Sequence, residues 1–426
     1  MKTFFRSYGI IALTAVILFS LAACNSDPDN DSGSYIPVTF NALSASVDPT
    51  EQTTTELTLT FSEAIEGLSS ADISLSIAGV DKGTLSGEGP VYTLGIGGTF
   101  SGGPLVVSVE KKGYAISGSP KTTTIFHKGF AKADFFQAAA IVGIAWDGSK
   151  FVVVTRDAKI GQSVDGVTWT EVTNIPFTSD RIQSIVWSGN KFVAVARQGQ
   201  IAYSTDGTAW TRVVSSPFGT DHAQSVTWGG SPGKFVTGGS YLNTSTSTNG
   251  ETWTSTVQIE ATSNEQHYIN GLTWGGSVGN EKFIAACFLS PGGGLFESTG
   301  GDTWTEISGT RGTTASEAYN CIFWGGAPGA ERFIAGSDNK IFYSYDDGVT
   351  WSEATHPFGS NRIRSIAWGG GKFIAVGHGG MMAQSSDGET WTELDNPHSG
   401  IIYSVAYGNN RFVTVGDTGV AYTYKE

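Results

Sequence analysis

Ser385-Ser386-Asp387-Gly388-Glu389-Thr390-Trp391 is the segment from which the fold can be read. It has the chemistry of a tight turn. Glycine takes the positive φ, aspartate accepts hydrogen bonds from neighbouring backbone N–H groups, and tryptophan packs its ring beneath. Related motifs end at Trp169, Trp210, Trp253, Trp304 and Trp351. The copy ending at Trp351 is one residue longer, the third carries Asn249, and the fourth is degenerate (Ser298-Thr299-Gly300-Gly301-Asp302-Thr303-Trp304). Repetition on this scale makes the aspartate a scaffold residue, not a catalytic or calcium-binding one.

Between these turns lies a second aromatic set: Trp146, Trp187, Trp228, Trp274, Trp324, Trp368 and Tyr407, spaced by 41, 41, 46, 50, 44 and 39 residues. Each precedes a glycine-containing hairpin and a basic–Phe pair, from Lys150-Phe151 to Arg411-Phe412. In the sixth copy the patterning predicts strands over 365–368, 372–377, 381–385 and 390–394. Four short strands in about 40–45 residues, repeated seven times, predict a seven-bladed β-propeller of four-stranded blades. The last copy stops at Glu426 without an outer strand. Phe130-Ala131-Lys132-Ala133-Asp134 falls where a fourth strand should precede Trp146, so it is predicted to close the ring and remove a free edge.

The turn motif resembles the Asp-box, or BNR, repeat of sialidases and related propellers, and Ser344 to Trp351 fits its pattern Ser-x-Asp-x-Gly-x-Thr-Trp in full. That resemblance implies a scaffold and raises the question of an active site. Sialidases hold a carboxylate with three arginines, use a Tyr–Glu nucleophile pair and an Asp acid, and carry an Arg-Ile-Pro segment. Here the nearest string is Asn174-Ile175-Pro176, and the sequence places no Tyr–Glu pair beside Arg181, Arg197 and Arg364. The scaffold resembles a sialidase; the active site does not.

The remaining sequence divides into three further parts. Lys2 and Arg6 precede an apolar run over 10–21, and Leu21-Ala22-Ala23-Cys24 resembles the lipobox of bacterial lipoproteins. Residues 1–23 are therefore expected to be a signal peptide, and Cys24 the lipidated residue that anchors the protein to a membrane. Residues 24–35 read as a disordered tether. Residues 36–126 lack tryptophan and carry strand patterns such as 56–61 and 105–109; they resemble a bacterial Ig-like β-sandwich, here a spacer. The propeller takes 127–426. The expected location is the bacterial cell envelope, on the outer membrane in a diderm, facing periplasm or exterior.

Composition narrows the partners. Of 426 residues, 57 are glycine, and Asp plus Glu outnumber Lys plus Arg by 39 to 25, a net charge of −14. A strongly acidic chain argues against nucleic acid, whose phosphates need a basic surface. Cys287 and Cys321 sit in apolar strand patterns and read as buried free thiols ahead of a disulfide. No spacing of His or Cys suggests a metal, and no glycine-rich loop precedes a helix, so neither metal nor cofactor is expected.

Candidate binding residues follow from the repeat register. Both turn motifs and Trp–Phe hairpins belong at one end of the propeller, called the bottom. Positions four before each first-set aromatic, including Gln183, Gln224, Asn270, Arg364 and Tyr403, lie at the top entrance. So do those six before it, including Arg181, His222, Tyr268 and Arg362, while loops between second and third strands add Arg156, Arg197 and His378. The bland reading is that loops are polar. The functional one is a rim that binds an envelope protein or a glycan without chemistry, on a monomer. Photosystem II assembly factors and other seven-bladed Asp-box proteins, which the repeat resembles, imply protein binding. The alternative is a glycoside hydrolase acting on polysaccharide, with Asp157, Asp338 and Asp417 as carboxylate candidates.

Overall fold

The structure is a computed structural model describing residues 35–46, 54–77, 80–97, 103–125, 129–132, 140–178, 181–260, 267–290, 292–312, 314, 317–394, 400–417 and 421–425. Cys24, the signal segment, most of the tether, Ala133, Asp134 and His398 lie outside the described residues.

Seven four-stranded antiparallel sheets follow one another along residues 141–425. Their first strands are Ile141–Trp146, Ile182–Trp187, Ala223–Gly229, Tyr268–Gly275, Tyr319–Gly325, Ile363–Gly369 and Ile402–Gly408. Each first strand contacts the first strand of the next sheet, and the seventh contacts the first, so the sheets form a closed ring of blades. The seventh blade is completed by Gly129–Lys132, antiparallel to Ala421–Lys425. Of the stretch 130–134 expected at this place, 130–132 are described. The outer strands are shorter than the pattern suggests: in blade six Thr392–Glu393 replaces the expected five residues.

Within each blade the aromatic motifs build one core. The Phe of every basic–Phe pair is fully buried. In blades one, two, three, five and six it stands between both recurring aromatics of its own blade. Phe192, for example, lies 4.4 Å from Trp187 and 6.3 Å from Trp210 between ring centroids. Such tilted pairs contribute beyond their buried area. All six turn tryptophans donate the indole N–H to the carbonyl of the turn glycine, as Trp391 does to Gly388 at 3.0 Å. Trp–Phe hairpin and turn motif therefore meet at the same end of the blade.

Adjacent blades interlock through these turns. Lys191 Nζ donates to the carbonyl of Asn249 at 2.8 Å, Lys234 Nζ to that of Gly300 at 2.9 Å, and Arg411 Nη1 to that of Asp165 at 2.6 Å. Arg332 makes the equivalent bond to the Asp387 carbonyl. The basic residue of one blade thus holds the turn of the next, and Arg411 does so across the ring closure. At the same seam Gly408 lies against Trp146, with no room for a side chain.

Residues 36–125 form two sheets, one of five strands and one of three, over a shared core that includes Val38, Phe40, Leu57, Leu59, Phe61, Leu94, Leu105, Val107 and Ile125. Alternation drives this packing: along Glu56–Phe61 every second side chain points inward. Cys287 and Cys321 are both buried free thiols.

Candidate functional site at the mouth of the central channel

Every first strand carries a β-bulge at the same place. Register shifts between Ile141 and Gly143, between Ile182 and Ser184, and at the equivalent point in the other five blades. The extra residues are Val142, Gln183, Gln224, Asn270, Asn320, Arg364 and Tyr403. A bulge leaves its extra residue outside the ladder and re-aims the side chain. All seven line one cavity of about 310 Å³. Sequence spacing selects this ring, but the bulge that turns it inward depends on strand pairing and leaves no composition signal.

Beneath the ring sits an aliphatic layer. Ile144, Ile185, Val226, Leu272 and Ile322 line the same cavity, each 5–8% exposed. Ser184, Ser225, Ser365 and Ser404 add hydroxyl or backbone polarity beside the bulges. Sequence reasoning passed over these serines and left Asn320 out of the rim. The serines carry no charge or size signal and only the shared bulge register identifies them, whereas Asn320 stands four before Trp324 in the same repeat position as the other ring residues.

One sector of the mouth is cationic. Arg156 Cζ lies 4.4 Å from the centre of the Tyr403 ring, and Arg364 Cζ lies 5.7 Å from it. Arg364 Nε donates to His378 Nε2 at 3.1 Å, which requires a neutral imidazole. Burial, followed by the Arg364 and Arg362 charges, pushes the His378 pKa below its ordinary value. Burial, with Arg362 and Arg156 adding repulsion, likewise lowers that of Arg364. Burial is also the largest cause raising the Tyr403 hydroxyl, and the negative charge of Asp417 acts in the same direction.

The other candidates are distributed around this mouth. Arg362 forms a two-pronged pair with Asp338, at 2.6 and 2.8 Å, and Asn320 Nδ2 donates to the same carboxylate at 2.8 Å. The Asp417 carboxylate accepts from the Ile401 amide at 2.8 Å. Arg197 and Arg181 are adjacent through a backbone bond of 3.0 Å, and Arg197 Nε is buried with no hydrogen-bond partner among the described residues. His222 Nδ1 accepts from the Gln198 amide at 3.2 Å. Arg181, Arg197, His222, Tyr268, Arg362 and His378 are not among the residues that line the cavity; Arg156, Gln183, Gln224, Asn270, Arg364 and Tyr403 are.

A Tyr–Glu pair does occur, but at the turn-motif end. Tyr345 hydrogen-bonds to Glu389 and accepts from Arg332 Nη1 at 2.6 Å. Burial and the Glu389 carboxylate push the Tyr345 pKa up to about 12, and neither Tyr345 nor Glu389 is among the residues that line the channel mouth. Among the described residues no group of three His, Cys, Asp or Glu side chains is placed to hold a metal ion.

Neither a protein-family model nor a curated protein sequence matches the chain. Solved structures do. The chain is similar to YCF48 bound to D1 peptide, at 18% identity and a TM-score of 0.55, over 71% of this chain and 98% of that one. It is similar to the WD40 β-propeller domain of Doa1, at 12% identity and 0.54, over 70% and 98%. A catalytically inactive virginiamycin B lyase from Staphylococcus aureus with quinupristin matches at 14% identity and 0.58, over 70% and 99%. At such identities the likeness is one of fold: the chain is an all-β protein whose repeated four-stranded sheets form a propeller.

Proposed function

We propose that this protein is a non-catalytic binding module whose ligand enters the mouth of the central channel. The observation that carries the reading is the ring of bulge residues. One backbone irregularity, repeated in all seven blades, turns Gln183, Gln224, Asn270, Asn320, Arg364 and Tyr403 into a single cavity. Convergent polar groups above an apolar floor are the usual make-up of a ligand site. A propeller of similar fold, YCF48, has been solved with a peptide bound, which supports a protein partner.

Hydrolysis of a glycan is the weaker reading. It needs two carboxylates about 5–10 Å apart across the substrate. No Asp or Glu is among the cavity-lining residues, and Asp157, Asp338 and Asp417 are engaged with Thr155, with Arg362 and with the Ile401 amide, respectively.

The proposal extends to the rest of the chain. Cys24 is the lipid-bearing residue, the sheets of 36–125 are an Ig-like spacer, and the propeller is displayed at a bacterial envelope membrane. Soluble protein beginning at Ser26 is incubated with mixed peptide and glycan libraries, and retained and altered species are followed by mass spectrometry. Retention that falls with Gln224→Ala and Asn270→Ala supports the reading. Cleavage products that vanish on replacing Asp338 or Asp417 overturn it.

A further inference from the structure

Two guanidinium groups share the mouth of the channel, and neither is in an ion pair among the described residues. Arg156 and Arg364 both line the cavity and both approach the Tyr403 ring. Among the described residues, no Asp or Glu lies within ion-pair distance of either, whereas neighbouring Arg362 pairs with the Asp338 carboxylate at 2.6 Å. The side-chain hydrogen bond of Arg364 goes to a neutral imidazole. Cations brought together out of bulk water repel each other and lose hydration, so a site that keeps them favours an anion. This occurs in a chain with a net charge of −14, in which Asp plus Glu outnumber Lys plus Arg by 39 to 25.

Resting on the binding reading above, we infer that the ligand is a peptide that presents a carboxylate to Arg156 and Arg364. Planar guanidinium forks match a planar carboxylate. The side-chain amides of Gln183, Gln224, Asn270 and Asn320 each offer a donor and an acceptor, as peptide backbone requires. The aliphatic floor then takes an apolar side chain next to the charged group. A sugar acid fits less well. Sugars stack on open aromatic faces, and the aromatic side chain that lines this cavity, Tyr403, carries guanidinium groups over its ring, while Tyr268 is not among the lining residues.

The test uses the soluble chain from Ser26 and four probes measured by fluorescence anisotropy. These are a tetrapeptide library with free C-terminal carboxylates, the same library amidated, an amidated library containing Asp and Glu, and oligogalacturonides. The expected result is binding of a carboxylate-bearing peptide set that is lost on amidation or on removal of acidic side chains. Whichever loss is seen identifies the chain end or the side chain as the source. Arg156→Gln and Arg364→Gln each weaken that binding about tenfold or more, the effect of removing one charge-assisted pair. Thermal melting of each variant separates lost binding from lost fold, and Arg156→Gln, in a half-exposed loop, is the variant expected to fold normally. Equal binding of neutral and carboxylate libraries, sensitive to Gln224→Ala but not to either arginine variant, overturns the carboxylate assignment and leaves the binding site standing. Preference for oligogalacturonides overturns the peptide assignment. Failure of every probe, including the neutral peptides, counts against the binding reading itself.

Discussion

Asp206 and Asn249 occupy the same place in successive turns, and their side chains do the same work. Asp206 Oδ1 accepts from the amides of Thr208 and Ala209 at 2.8 Å; Asn249 Oδ1 accepts from those of Glu251 and Thr252 at 2.9 Å. Only Asp206 titrates. The Ala209 and Thr208 amides hold its carboxyl below the ordinary value. A depressed native pKa stabilises the fold above the unfolded value, near 3.9, and that contribution is lost as pH falls through the native one. Asp206→Asn is therefore expected to melt close to the parent at neutral pH and to show a shallower loss of stability below about pH 4, followed by acid titration of circular dichroism. Asp206→Ala strips the acceptor from two exposed amides that water can re-satisfy and from the Ser204 hydroxyl, so the expected cost in denaturant titration is about 1 kcal/mol or somewhat more.

At the level of the blade, the sequence shows the period and hides the joints. Trp187, Phe192 and Trp210 announce a repeat because each turn needs the same residue types, and they prove to be one packed triplet. The role of Lys191, Lys234, Arg332 and Arg411 is not legible in the same way. Their partners, such as Asn249 for Lys191, belong to the next blade, so the contact exists only once the ring has formed. The bulges were hidden for a related reason: Gln183 and Ile185 are spaced as on any regular strand, and only the pairing of Ile182 with Ala196 and Ser184 with Val195 shows the extra residue. At the seam between the last blade and the first, Gly408→Ala places a methyl group in the Trp146 ring. Overpacking of this kind is expected to destabilise by about 1–3 kcal/mol, read from the midpoint of chemical unfolding. Arg411→Met removes the bond to Asp165 at the same seam. Combined with Gly408→Ala, the two losses are expected to sum to more or less than their parts, since neighbours in one hairpin couple.

For the whole molecule, closure is the decisive feature. Gly129–Lys132 and Ala421–Lys425 pair although almost 300 residues separate them, so both ends of the propeller depend on one ladder. A chain beginning at Ala140 lacks the closing strand and exposes an unpaired edge on the seventh blade. It is expected to melt lower than a chain beginning at Ser26 and to form oligomers by light scattering, while the first six sheets keep their internal pairing. The closure also has a mechanical meaning. A pull on the segment before Gly129 is delivered to the outermost strand of blade seven, at the greatest distance from the axis. The first bonds to part are those to Ala421–Lys425, whereas the bulge residues ride on the innermost strands. Tension on the N-terminal side therefore unzips the rim of the wheel before it disturbs the hub, and the grip on a ligand outlasts the first loss of structure.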